Sequence, residues 1–360
     1  MINHQLICKV LGQLLFLEAV LLMVSLGVSI GYQEDDVFAF LVTIFITIGA
    51  GLALKWRGHN ADNSMSRRDA YLVVSLAWIV FSFFGTFPFL ISGYIHSFTD
   101  AYFETMSGFT TTGATIIDNV EVLPHGLLFW RSLTQWIGGL GIVFFTIALL
   151  PSLVGGQIKV FAAEATGPIK TKLHPRLSTS AKWIWSIYII LTIACIVSYY
   201  FGGMNVFDSF NYAMTTTATG GFATHNTSTE FFHSPTLEYI CTLFTFLSGI
   251  NFTLLYAAVI KLNIKNLFKN SEFKFYIFLV VVFTAFIMME LMTMRHYDLE
   301  RAFRCGLFQV VSFITTTGLF NDDAATWPHV TWVVLAACMF FGACSGSTSG
   351  GLKCIRGVML

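Results

Sequence analysis

Charge is what this sequence has least of. Asp, Glu, Lys and Arg together make up 11% of the residues, against 55% hydrophobic. A soluble globular protein carries roughly 25% charged residues. So few charges cannot wet the two or three soluble domains that 360 residues would otherwise allow. The composition points to a polytopic, all-α membrane protein. A net charge is missing too, with 20 basic and 20 acidic residues, so nothing favours nucleic acid as a partner. The seven cysteines (Cys8, Cys195, Cys241, Cys305, Cys338, Cys344, Cys354) lack CxxC or other metal-ligand spacing. They read as small buried hydrophobes. No small-residue cleavage site follows the first apolar run, which reads as a membrane helix rather than a removed signal. No cluster of His, Asp or Cys at one depth suggests an enzyme, and the nine His show no i,i+4 pairing.

Long apolar runs are what the chain has instead. A helix needs about 20 apolar residues to span a bilayer. Runs of that kind lie near 10–31, 37–54, 71–93, 126–151, 183–201, 237–260 and 275–294. An eighth, from Thr331 to about Gly342, is short and enters a glycine-serine tract. The connections alternate in charge. Segments 55–69, 155–182 and 261–274, with Lys9, Lys353 and Arg356, hold every basic residue except Arg131, Arg295, Arg301 and Arg304. The positive-inside rule makes that side cytoplasmic, the N-terminus included. The other side carries Glu34, Asp35, Asp36, Asp100, Glu104, Asp118, Glu121, Asp208, Glu230, Asp298, Glu300, Asp322 and Asp323. Such a face either concentrates cations or is simply a set of solvated loop charges. Glu18 and Glu290 lie inside apolar runs, and both read as lying near span ends, without a role. Arg131, at the outer end of its run, has three open readings: a cap on carbonyls, a partner for a carboxylate, or an interfacial anchor.

Three outer connections repeat one pattern. Phe103, Phe210 and Phe308 each precede a glycine by ten residues, the glycines being Gly113, Gly220 and Gly318. Each glycine follows a threonine-rich stretch: Thr110-Thr111-Thr112, Thr217-Ala218-Thr219 and Thr315-Thr316-Thr317. A proline comes after each loop, at Pro124, Pro235 and Pro328. The unit is span, half-helix, Thr-x-Thr-Gly, proline, span. Non-helical backbone at membrane depth is tolerated only where protein buries it or it borders a wet path. Glycine lets successive carbonyls turn one way. Carbonyl and hydroxyl oxygens can replace the water shell of a cation, as in potassium-channel filters. The expected ion ligands are Thr111, Thr112, Gly113, Ala218, Thr219, Gly220, Thr316, Thr317 and Gly318.

These residues, with Trp130-Arg131-Ser132-Leu133-Thr134-Gln135-Trp136-Ile137-Gly138-Gly139-Leu140-Gly141, Gly220-Gly221-Phe222-Ala223-Thr224-His225 and the tract 342–353, carry a family resemblance. The chain resembles the Trk/Ktr/HKT superfamily of cation transporters, above all its bacterial Trk-type membrane subunit. The resemblance implies four span–pore helix–span repeats around one path, preceded by two extra helices. On that plan 1–68 holds the two extra helices, 69–154 the first repeat, 155–181 a cytoplasmic loop, 182–264 the second repeat and 265–360 the third. No fourth repeat is visible, which reads as a fragment. The resemblance implies potassium uptake, a homodimer in the bacterial cytoplasmic membrane, and a cytosolic nucleotide-binding regulatory subunit. Potassium is then the substrate, no cofactor is held by this chain, and any regulatory nucleotide sits on the partner. It also makes Gly342, Ala343, Cys344, Ser345, Gly346, Ser347, Thr348, Ser349, Gly350 and Gly351 an intramembrane gating loop; the plain alternative is a flexible helix exit. Gly138-Gly139-Leu140-Gly141 reads as close helix packing or a hinge. Competing functions are a sodium-permeable or sodium-coupled transporter of the same superfamily, or an inactive three-repeat fragment.

Overall fold

The computed structural model describes residues 2–62, 65–141, 177–260 and 262–359, all of them helix, turn or loop with no strand. The end of run 126–151, most of loop 155–181, and Lys159, Lys170, Lys172, Arg176 and Lys261 lie outside the described residues. Among those described, five helices are long and apolar enough to cross a membrane, and one bent pair would make a sixth. The chain divides into two compact units, with described residues 2–141 and 177–185 in the first and 186–359 in the second.

The first unit opens with α1 (His4–Tyr32) and α2 (Val37–Arg57). The Asn3 side chain caps α1 by accepting from the Leu6 N–H, and Gln33 ends it in the left-handed region. The two helices cross closely at Gly12, where a Cβ would stand 2.8 Å from the Gly51 carbonyl. Because α1 begins at His4, Glu18 falls in mid-helix and not near an end. It is fully buried, with no hydrogen-bond partner among the described residues. Helix α3 (Arg67–Gly85) starts from a capping box of Ser66 and Asp69 and continues, past Thr86, as α4 (Phe87–Ser92). Then comes a half-helix, α5 (Phe98–Phe109), followed by α6 (His125–Gly139).

The second unit contains most of α7 (Leu177–Gly202), then the half-helix α8 (Val206–Ala218). Its return span is not one helix. It breaks into α9 (Pro235–Ser248) and α10 (Phe252–Val259), bent by 106°. The expected unbroken span 237–260 is therefore corrected. Asn251 starts the new helix by accepting from the Thr253 N–H, and distant chain occupies the backbone groups freed at the break. The rest is α11 (Ile264–Lys269), α12 (Ser271–Met294), a third half-helix α13 (Leu299–Ile314), α14 (His329–Phe341) and α15 (Cys354–Met359). Glu290 lies in the last turns of α12 and is half-buried. Tyr212 and Ala213 of α8 pack with Cys195, Tyr199, Cys241 and Phe308 in a buried core. That core fixes α8 against its flanking spans.

Candidate functional site

The half-helices have 12, 13 and 16 residues. At 1.5 Å per residue none exceeds about 24 Å, short of the roughly 30 Å hydrocarbon core. Each begins at a side-chain cap: Ser97 on the Asp100 N–H, Asn205 on Asp208, Asp298 on Arg301. Their C-terminal ends carry partial negative charge from unpaired carbonyls, which favours a nearby cation.

All three end in the same way. Thr111, Thr219 and Thr316 stand in the left-handed region, with φ of 54°, 53° and 31°. Their N–H groups donate three residues back, to Gly108, Thr216 and Phe313. The next N–H in each, from Thr112, Gly220 and Thr317, donates five residues back at 2.9 Å, to Ser107, Thr215 and Ser312. This is the Schellman helix ending, in which the left-handed residue is normally glycine. A β-branched residue there is a backbone outlier. Each threonine hydroxyl turns back to the preceding carbonyl, at 2.7, 2.7 and 3.3 Å. A positive-φ glycine follows two residues later: Gly113, Gly221 and Gly318, at 75°, 82° and 85°.

In the second loop, the backbone counterpart of Gly113 is therefore Gly221, one residue beyond the Gly220 found by aligning first glycines. The physical reason is that α8 keeps its helix one residue further along the motif. Gly221 is also pressed by its neighbour: a Cβ there would lie 2.0 Å from the Thr317 carbonyl oxygen. The second and third loops are thus in backbone contact.

A second regularity escaped the sequence reading. Seven residues before each left-handed threonine, a side chain ties the half-helix to the segment after its loop. Glu104 accepts from the Thr115 hydroxyl at 3.0 Å and the Ile116 N–H at 3.1 Å. Tyr212 donates its hydroxyl to the Ser228 carbonyl at 2.9 Å. Gln309 donates to the Asp322 carbonyl at 3.2 Å. The three residue types differ, so no motif search on identity finds them; position relative to the threonine would. Glu104 also receives Arg131 Nε at 2.9 Å, both side chains being buried, so of the open readings for Arg131 the carboxylate pair holds.

The outer carboxylates are not uniformly a solvated face. Glu104, Asp36 and Asp208 are buried, and Asp322 nearly so. Asp208 binds Thr224 at 2.6 Å and His225 at 3.3 Å. Burial pushes its carboxyl up, but donation from His225, Thr224 and Asn205 outweighs this and holds it below the usual carboxylate range. Asp35, Asp100, Asp118, Glu121, Asp298, Glu300 and Asp323 remain exposed. Gly138 is a packing residue, since a Cβ would meet the Phe109 carbonyl at 1.9 Å.

The tract 342–351 folds against the second and third loops. Thr348 donates its hydroxyl to the Thr217 carbonyl at 3.1 Å and to Ser248 at 3.3 Å. The Gly350 N–H donates to the Thr316 hydroxyl at 2.8 Å. At the helix break, the Cys344 N–H reaches the Gly249 carbonyl and the Phe252 N–H reaches Gly346, both at 3.0 Å. Asn251 Nδ2 donates to the Ser345 carbonyl at 2.6 Å. Ala343, Cys344, Ser345, Ser347, Thr348 and Ser349 are buried. This is a packed loop, not a loose helix exit. The first loop, Thr111 to Gly113, lies in the other unit.

The family model for TrkH, described as a cation transport protein, matches residues 36–360. The chain belongs to the TrkH family. Among TrkH relatives, the Trk system potassium uptake protein TrkH of Escherichia coli K12 is 36% identical over 359 residues, covering 98% of this chain and 74% of that protein. The potassium uptake protein TrkG of the same strain is 37% identical over 357 residues, covering 97% and 72%. The crystal structure of the potassium transporter TrkH from Vibrio parahaemolyticus superposes with a TM-score of 0.85 at 35% identity, covering 99% of this chain and 74% of that one. The TrkH family consists of membrane transport proteins, not enzymes, and this chain shares its all-helical, multi-pass architecture.

Proposed function

We propose that this chain takes up potassium ions, with the loops at 111–113, 218–221 and 316–318 supplying oxygen ligands and the tract 342–351 acting as the gate. The observation that carries this reading is the threefold recurrence of one strained helix ending. Left-handed backbone at a β-branched residue costs of order 1–3 kcal/mol and persists where function needs it. Its product is a run of carbonyl and hydroxyl oxygens beside a helix C-terminus. Such oxygens can replace the water shell of a monovalent cation without a fixed charge, which leaves the ion free to depart. The second and third loops share backbone contact; the first has the same backbone, and we assign it the same role. The packed tract supports a gate, because it already binds Thr217 and Thr316 and has no large apolar side chain to anchor it in lipid. The basic segments, including the exposed Lys265, Lys269 and Lys274, support a cytoplasmic N-terminus; a cytosolic nucleotide-binding subunit and a second copy of the chain, in the bacterial cytoplasmic membrane, are the partners that the family resemblance implies.

The test is Rb⁺ uptake in a host lacking its own potassium uptake. Uptake with potassium preferred over sodium, lost in Gly113→Asp at equal membrane abundance, is the expected result. Unaltered discrimination in that variant would remove the filter assignment.

A further inference from the structure

Besides Asn251 and Thr316, one carboxylate from outside the tract holds it. Glu272 lies in the first turn of α12 and is 4% exposed. Its carboxylate receives the Ser345 N–H at 2.5 Å, the Ser345 hydroxyl at 3.1 Å and the Ile355 N–H at 3.1 Å. All three partners are donors, which suits an ionised carboxylate, an acceptor only. Hydrogen bonds to a charged acceptor are roughly twice as strong as neutral ones. A helix N-terminus also favours negative charge, so α12 stabilises the carboxylate before the tract arrives. Ser345 stands within the tract and Ile355 in α15 just after it, and one carboxylate bridges them. Lys353, itself buried, donates to Ser349 and is close enough for its charge to act on Glu272. Immediately before α12 lies α11, exposed along almost its whole length, linked to α12 by the single residue Asn270 and touching it through Phe268, whose ring meets Phe273 edge-on.

We propose that Glu272 is the positioning residue that holds the glycine-serine tract closed, and that a displacement of segment 264–270 opens the tract by withdrawing this carboxylate. The idea rests on the gate reading above. Its mechanism is short: α11 carries no buried residue, so little resists its movement, while Glu272 moves with the start of α12. The tract then keeps Asn251 and its backbone bonds to the helix break but loses the bridge from Ser345 to α15.

Two readouts on the full chain in liposomes separate the ideas. One is maleimide labelling of Cys344, which lies buried in the tract, located by mass spectrometry. The other is Rb⁺ flux. Glu272→Gln keeps the size but loses the charge and sets an amide against donors. It should raise Cys344 labelling by about ten-fold, the order expected from losing charged hydrogen bonds. It should also raise flux, with the K⁺/Na⁺ ratio unchanged. Ser345→Ala removes only the hydroxyl contact and should move both readouts less; it serves as well if Glu272→Gln does not fold. Faster labelling with unchanged flux upholds the clamp and removes the gate reading. Unchanged labelling in both variants overturns the clamp.

Discussion

Threonine at Thr111, Thr219 and Thr316 and glycine two residues later are demands of single positions. Gly318 and Gly221 separate two such demands. At Gly318 φ is +85° but a Cβ would meet nothing within 4 Å, whereas at Gly221 it would strike the Thr317 carbonyl. Gly318→Ala should cost only the left-handed penalty, about 1–2 kcal/mol. Gly221→Ala must displace a carbonyl of the third loop, and Rb⁺ uptake should fall about ten-fold or more beyond the Gly318→Ala value, a barrier of at least ~1.4 kcal/mol. Equal losses in the two variants would contradict the contact. Glu104 and Arg131 make the second residue-scale prediction. Removing one member of a buried ion pair typically costs about 3–5 kcal/mol, because the other is left uncompensated. Arg131→Met should lower the unfolding midpoint in detergent markedly, and Glu104→Gln added to it should recover part of the loss. Of this scale, the three threonines and two of the glycines, Gly113 and Gly318, were legible, because composition and spacing are local. The burial of Glu104 was not, since its partners Thr115, Ile116 and Arg131 converge only in the fold.

At the scale of elements, the half-helices were readable from length and from the proline after each loop. The break between α9 and α10 was not. Run 237–260 is apolar enough to read as one span, and what occupies its break is chain about a hundred residues away: Cys344 on the Gly249 carbonyl, Gly346 on the Phe252 N–H and Ser345 on Asn251. No window of sequence contains both partners. The register of the second loop is hidden for a different reason: two adjacent glycines satisfy the motif, and only the helix ending chooses Gly221. The element-scale prediction uses Asn251, which caps α10 and holds the Ser345 carbonyl. A lost N-cap costs about 0.5–2 kcal/mol and an unsatisfied buried carbonyl about 1–3. Asn251→Ala should therefore speed hydrogen exchange at Thr253 and around Ser345 together, leaving α13 amides unchanged. Exchange that rises at Thr253 alone would show that the cap and the tract are not joined through this side chain.

For the whole molecule, the outermost large side chains are apolar: Phe45, Trp56, Phe201, Val333 and Phe340 are all more than two-thirds exposed. A surface of that kind is stable only against lipid or detergent. Its sidedness is open to measurement. Impermeant maleimide added to intact cells should label Glu300→Cys at once, and Lys265→Cys only after permeabilisation. The reverse order would invert the topology drawn from charge. The membrane class was legible from the missing charges, whereas the mid-helix position of Glu18 depended on where α1 begins.

The hydroxyl of Thr348 has a consequence of its own. It is the donor shared by the carbonyls of Thr217 and Ser248, both buried. If the tract swings aside, those two oxygens lose their proton at once. Something must solvate them, and water is the smallest candidate. Opening is then a wetting event: the hydroxyl leaves, and water takes its place on the two carbonyls in the same step.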